Sequence, residues 1–293
     1  PMFQRQGAAA YKADLSATKR VCAALGHPER KLKFVHVAGT NGKGSTAFLL
    51  AALLKQDGFR TGCYTSPHLV DLRERIQIDG RCAGIQQFVD VAARTLEISR
   101  NPQCPQISFF DLVTAIALKV FARAQCDWVV LETGLGGKAD STNVTPKELA
   151  ILTRIGLDHQ NILGDSILKI AAEKLGIARK GVPLLVSLQT KVVKEWLEKQ
   201  THLQEISTHW IEGKNYQLID QGGQHLAACR EAKISDVSRE LALTALEILL
   251  PAKSPNQRKE RLELASKFPL IGRKSRHFNV KLRDKSSGQV FSE

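Results

Sequence analysis

Long apolar runs are what this 293-residue chain most plainly lacks. None reaches the roughly 20 residues of a membrane helix, and the opening residues carry no secretory-signal pattern. The expectation is a protein without membrane association, working in the cytoplasm. Cysteine is scarce too. The six, at 22, 63, 82, 104, 126 and 229, stand singly with no CxxC pair, which argues against a disulfide framework or a cysteine metal cluster and suits reduced thiols. Aromatic residues are 6% and are not interleaved with basic ones, so a stacking platform for single-stranded bases is missing.

Positive charge, by contrast, is plentiful, at net +13. Between Pro251 and Glu293, 11 Lys and Arg stand against 4 Asp and Glu, placing +7 in a stretch that reads as a basic tail rather than a face of a folded domain. Specific nucleic-acid binding is therefore not expected, whereas a positive field suits small anionic substrates. With 43% hydrophobic residues the chain can bury a core, in one large domain or two modest ones.

The organising stretch is FVHVAGTNGKGST, Phe34 to Thr46. An apolar strand leads into a turn through Gly39, Gly42 and Gly44, with Lys43 between the last two, and an apolar helix follows over 47–56. Such a turn lets backbone N–H groups approach a phosphate, while the helix N-terminus and the lysine add positive potential. A hydroxyl at Ser45 or Thr46 would meet the metal that accompanies a nucleoside triphosphate. The strict P-loop has four residues between its glycines and a hydroxyl directly after the lysine; here two intervene, and Gly44 follows Lys43. The plain alternative is a tight strand-to-helix turn with an exposed lysine.

Further strands are expected at 59–65, 76–78, 127–132, 150–155 and 184–188, with helices at 11–26, 85–99, 111–124, 166–179, 191–200 and 236–250. Weaker strands are expected near 205–212 and 216–219, with a turn at Gln221-Gly222-Gly223. Ser66, fixed by Pro67 at a strand's C-terminal end, and Glu132, ending the buried run DWVVLE, stand where ligands bind in open parallel sheets, and the Glu132 carboxylate is a candidate magnesium ligand. A simple Ser-Pro turn explains Ser66 equally well. Ser108 with Asp111 three residues on has the spacing of a helix capping box. His159 follows a strand end beside Asp158, an acid able to orient it.

GTNGKGS resembles the phosphate loop of the folylpolyglutamate synthase and dihydrofolate synthase family, within the Mur-ligase group. TSPHLVDLRERI, LETGLGGKADSTNV, and IGLDHQNILG followed by AAEKLGI match the same family in order and spacing, from about Tyr11 to about Leu188. The resemblance implies an α/β fold: a mostly parallel P-loop-type sheet with helices on both faces. An ATP-binding domain would occupy 1–265, with a basic linker stub at 266–293. It further implies an ATP-dependent ligase that joins L-glutamate to a folate or dihydropteroate carboxylate through an acyl phosphate, acting as a monomer on small molecules.

On the family's pattern, Thr40, Asn41, Gly42, Lys43, Gly44, Ser45, Thr46 and Arg273 bind ATP. Ser66 and Glu132 hold one magnesium ion, His159 and Lys174 a second, with Lys174 carbamylated. Lys43, His159 and Lys174 carry the catalytic roles. Ser108, Phe109, Phe110, Asp111, Ala139, Asp140 and Ser141 line the pterin side. For Phe109 and Phe110 core packing is the alternative, and for Asp140 a turn cap. Ser238-Arg239 stands where the family has an adenine-side asparagine, and the family's Asp-x-Ala-His-Asn-Pro segment is not found. On these departures the chain as given is expected to grip Mg-ATP but to be a poor ligase; a non-catalytic remnant or another Mur-type amide ligase are the alternatives.

Overall fold

The computed structural model describes residues 14–101, 107–211 and 234–269 and the strand pairs 282–283 and 290–291. Arg273, the turn at 221–223, the expected strand at 216–219, Cys104 and Cys229 lie outside the described residues. In chain order the elements are α1 (Ser16–Ala24), β1 (Lys33–Ala38), α2 (Lys43–Gln56), β2 (Thr61–Tyr64), β3 (Ile76–Ile78), β4 (Arg81–Cys82), α3 (Ile85–Ser99), α4 (Phe109–Arg123), β5 (Trp128–Glu132), β6 (Leu149–Leu152), α5 (Gln160–Leu163), α6 (Ile167–Leu175), β7 (Leu184–Val186), α7 (Lys191–Leu203), β8 (Thr208–Trp210), α8 (Ile234–Leu249) and α9 (Pro255–Lys267). Beyond them, β9 (Leu282–Arg283) pairs antiparallel with β10 (Val290–Phe291).

The main sheet runs β4-β3-β2-β5-β1-β6-β7-β8. Its strands are parallel from β2 to β8, and β3 and β4 add an antiparallel edge. The mostly parallel sheet expected from sequence is thus observed, with helices on both faces. On one face, Phe34, Tyr64, Val129 and Leu131 pack with α1, α3 and α4, and Ala38, Ala150, Leu152 and Val186 pack with α6 and α7. On the other, Val35, Val37, Cys63 and Val130 pack with α2, α8 and α9. Strands covered on both sides need apolar residues on both, which is why β1 and β5 read as continuous runs. Helix α2 is likewise apolar around most of its circumference. Leu49, Leu50, Leu53 and Leu54 are all fully buried, because it lies between the sheet and α8.

Three expectations need correction. The helix after the phosphate loop starts at Lys43, not Ala47, because Gly42 in the left-handed region (φ 87°) already serves as its N-cap. The strand expected over 150–155 stops at Leu152, because the Arg154 carbonyl turns to accept from the N–H groups of Thr40 (2.8 Å) and Asn41 (3.3 Å) in the phosphate loop. The basic tail is in part a folded helix. α9 begins at Ser254, which caps the helix by accepting from the Gln257 N–H, and its Arg261 is buried against Asp57 at the end of α2. The domain boundary drawn at 265/266 therefore falls inside α9. Among the described residues no helix is long and apolar enough to cross a membrane.

Candidate active site

The phosphate loop is pinned by its neighbours before any ligand arrives. Gly39 has φ 145°, and a Cβ there would lie 1.8 Å from Thr153 Oγ1, so only glycine fits. The Thr40 hydroxyl donates to the Gly156 carbonyl and accepts from the Gly156 N–H, both at 3.1 Å. Thr40 and Asn41 are thus anchors of the loop. Helix α2 makes its first backbone bond from Thr46 N–H to Gly42 O (3.0 Å), which leaves the N–H groups of Lys43, Gly44 and Ser45 without intrahelical partners at the positive end of the helix. Lys43 folds back over this row, its Nζ donating to the Thr40 carbonyl at 3.3 Å. Of the two hydroxyls expected at the metal, Ser45 is half-buried. Thr46 is fully buried, its Oγ1 without a hydrogen-bond partner.

Opposite this row, the tip of β5 supplies Glu132. Its Oε2 accepts from Ser66 N–H at 3.1 Å, just before the cis Ser66–Pro67 bond, and a Cβ on Gly44 would stand 3.3 Å from the same oxygen. This accounts for the departure from the strict motif: the residue after the lysine faces a carboxylate, and glycine leaves room for it. Ser66, Glu132 and the loop therefore converge at the C-terminal end of the central strands, as expected from sequence.

Lys174, on α6, reaches the other side of the loop. It is 3% exposed and its Nζ donates to Gly39 O at 2.8 Å. Burial, with Lys43 nearby, pushes its pKa down to about 7, despite the opposing pull of Asp158, Asp140 and Glu173. Such an amine is substantially neutral, hence nucleophilic, at neutral pH. His159 is half-exposed in the left-handed region (φ 49°), with its Nε2 3.6 Å from Asp158 Oδ1. Among the described residues no group of three His, Cys, Asp or Glu side chains is assembled for a metal.

The residues expected on the pterin side are tied to one another and to their neighbours. Ser108 and Asp111 form the capping box that opens α4. The buried Asp111 carboxylate also accepts from Thr18 Oγ1 (2.7 Å) and Ser141 Oγ (2.5 Å). Burial opposes its ionisation, but the hydroxyls of Ser108, Ser141 and Thr18 hold its pKa below the ordinary value. Asp140 accepts from the N–H groups of Gly134 (2.8 Å), Leu135 (2.9 Å) and Thr142 (3.0 Å) and from the Thr142 hydroxyl, while burial raises its pKa. The acids at 111 and 140 and the hydroxyls of Ser108 and Ser141 thereby help to hold α4 and the 134–144 loop together. Ala139 lies half-buried on that loop. Phe110 packs on Gly134, where a Cβ would come within 2.2 Å of its Cζ, and meets Tyr64 edge-on at 6.1 Å between ring centroids. Phe109 stands against the Arg75 guanidinium at 5.7 Å. In α8, Ser238 is buried and Arg239 donates to the carbonyls of Ala265 and Phe268, tying α8 to α9.

Sequence reasoning passed over a buried polar chain beneath the loop. His36 on β1 lies 2.7 Å from Thr142 Oγ1 through Nε2 and 3.1 Å from Lys147 Nζ through Nδ1. Lys147 also donates to Asn143 Oδ1 (2.7 Å) and Ile177 O (3.1 Å), and its pKa is lowered to about 7 by burial and then by Arg179. Since the lysine donates to Nδ1, His36 is neutral with its proton on Nε2, consistent with a pKa lowered first by burial and then by Lys147. The one available signal was a histidine inside an otherwise apolar buried strand.

No protein-family model matches the chain. It is 39% identical over 181 residues to the dihydrofolate synthase/folylpolyglutamate synthase of Bacillus subtilis, covering 60% of this chain and 42% of that protein. It is 34% identical over 220 residues to a folylpolyglutamate synthase of Arabidopsis thaliana, covering 74% and 38%. Among solved structures, a Mycobacterium tuberculosis folylpolyglutamate synthase complexed with ADP and AMPPCP superposes with TM-score 0.63 at 35% identity, over 67% of this chain and 47% of that one. An FPGS–AMPPCP–folate complex superposes with TM-score 0.74 at 27% identity, over 87% and 68%. The chain spans less than half the length of the first of these curated relatives.

Proposed function

From the premise that this chain belongs to the folylpolyglutamate synthase and dihydrofolate synthase family, we propose that it carries the ATP-binding and acyl-activating half of an ATP-dependent amide ligase. In the proposed reaction a folate or dihydropteroate carboxylate oxygen attacks the γ-phosphorus of ATP, the bond to the β-phosphate oxygen breaks, and ADP leaves. The glutamate amine then attacks the acyl carbon, loses a proton and expels phosphate. The observation that carries this reading is the row of N–H groups at Lys43, Gly44 and Ser45 without intrahelical partners, with the Glu132 carboxylate beside Gly44. Transfer between two anions demands neutralised charge and fixed alignment more than a strong base.

The donor set fits a hard cation on the Glu132 side, where a carboxylate and the Ser66 hydroxyl offer oxygen, and these two residues would hold a magnesium ion. Bound there, magnesium would supply charge neutralisation to the triphosphate. Lys43 and the loop N–H groups would bind and orient the triphosphate. For a second ion His159 is available, whereas Lys174 as a free amine is engaged with Gly39 O. With carbon dioxide its neutral amine would form a carbamate, releasing a proton and presenting oxygen instead of a cation. Phe109 and Phe110 would flank the acyl substrate. The protein would act as a cytoplasmic monomer on small molecules, without nucleic acid.

The reading is tested by calorimetry of Mg-ATP with the wild-type chain and Lys43→Ala. A loss of about tenfold or more in affinity is expected, the scale of one charge-assisted hydrogen bond. Mass spectrometry for glutamylated product, with dihydropteroate or tetrahydrofolate supplied, then reports on the acyl step. Equal heats from both proteins would refute the loop as the nucleotide site.

A further inference from the structure

Two buried arginines in this chain are treated very differently. Arg261 is 2% exposed and paired with both Asp57 and Glu247. Arg75 is 8% exposed, and among the described residues no ion pair joins it. Its Nε donates to His68 Nδ1 at 2.8 Å, and the ring of Phe109 lies 5.7 Å from its guanidinium carbon. None of these partners is an anion. The bond to Nδ1 also requires that nitrogen to be unprotonated. A buried cation is ordinarily matched by a carboxylate. With five N–H donors and neutral partners, this guanidinium has unmatched charge and surplus donors.

Its position says where the missing anion belongs. The Arg75 carbonyl accepts from Thr65 N–H at 3.1 Å, one residue before Ser66, whose N–H meets Glu132. On its other side stand Phe109 and then Phe110, which abuts Gly134 two residues past Glu132. Arg75 therefore joins the strand end that leads to Ser66, through its backbone, to the Phe109 ring, through its guanidinium. We propose that Arg75, oriented by His68, binds the carboxylate of the acyl substrate that is to be phosphorylated. The planar fork matches a carboxylate through two parallel hydrogen bonds, and burial strengthens its charge. A cation there lowers the repulsion between that carboxylate and the incoming phosphoryl group. The inference deepens the proposed function and rests on it.

The experiment titrates pteroate and its carboxamide, which lacks the charge, into the wild-type chain, Arg75→Gln and Arg75→Lys. Mg-ATP binding and thermal melting serve as controls. Wild type should prefer the acid over the amide by about 10- to 100-fold, the range of a hydrogen bond to a charged group. In Arg75→Gln this preference should collapse to within about threefold, with amide and Mg-ATP binding unchanged. Arg75→Lys keeps the charge and the fold but loses the fork, so it should retain part of the preference, and it decides the matter if the glutamine variant does not fold. Full acid preference in either variant, or equal losses for acid and amide, overturns the proposal while leaving the ligase reading intact. If wild type binds neither pteroate nor its amide, the substrate reading falls together with the proposal, and Mg-ATP binding shows whether the nucleotide site survives.

Discussion

Replacing Arg261 by methionine would test whether the basic segment after residue 250 is part of the folded core. Arg261 projects from α9 to the C-terminal ends of two other helices. It pairs with Asp57, the C-cap of α2, and it donates from Nη1 to Glu247 Oε1 (3.1 Å) and to Leu250 O (2.9 Å) beyond α8. The Arg261 and Asp57 side chains are 2% and 5% exposed, so the pair is shielded from solvent. Methionine fills similar volume but strands the Asp57 carboxylate, and leaving one partner of a buried pair uncompensated costs about 3–5 kcal/mol. The cost is increased because the stranded charge sits at the negative end of the α2 dipole. Urea unfolding of wild type, Arg261→Met, Asp57→Asn and the double variant should therefore show the double variant losing far less than the sum of the singles. Mg-ATP affinity of the folded Arg261→Met protein should be unchanged, since the 14-residue α2 places the phosphate loop roughly 20 Å away. A loss under about 1 kcal/mol, with additive singles, is what an exposed pair would give. That result would refute the buried clamp and return the segment to the status of a surface tail.

Two further outcomes are expected. Glu132→Ala should keep the fold, since the carboxylate stands at the tip of β5, yet abolish the magnesium dependence of ATP binding; collapse of the urea midpoint would instead make the carboxylate structural. The second concerns pH. Lys147 and Lys174 titrate near 7 when folded and near 10.5 when unfolded, so between these values the unfolded chain holds more protons and their contribution to stability rises with pH. Each lysine contributes a slope of up to about 1.4 kcal/mol per pH unit, and none below pH 7, where both states are protonated. Urea midpoints at pH 7 and 9 should rise in wild type and rise less in Lys147→Met; equal rises would place the Lys147 titration elsewhere.

Features dictated by local chemistry were legible in the sequence. Glycines around a lysine after an apolar strand specify a turn and a helix start whatever surrounds them. Ser108 and Asp111 form their capping box through a three-residue spacing, and DWVVLE declares a strand covered on both faces with an acid at its tip. What escaped was decided by partners distant in sequence. The bonds of Asp111 to Thr18 and Ser141 join positions 93 and 30 residues apart. Lys147 looks like a surface lysine until β1 brings His36 against it, and Gly44 looks like an insertion until Glu132 stands opposite. Arg261 finds Asp57 across 204 positions, which no charge count can show. Backbone propensity and capping act within about one helical turn, so sequence alone determined most of the elements, though not where β6 ends or that α9 forms. Burial and charge pairing act through space, so only the tertiary structure decided which polar groups hold the fold together and which remain for a ligand.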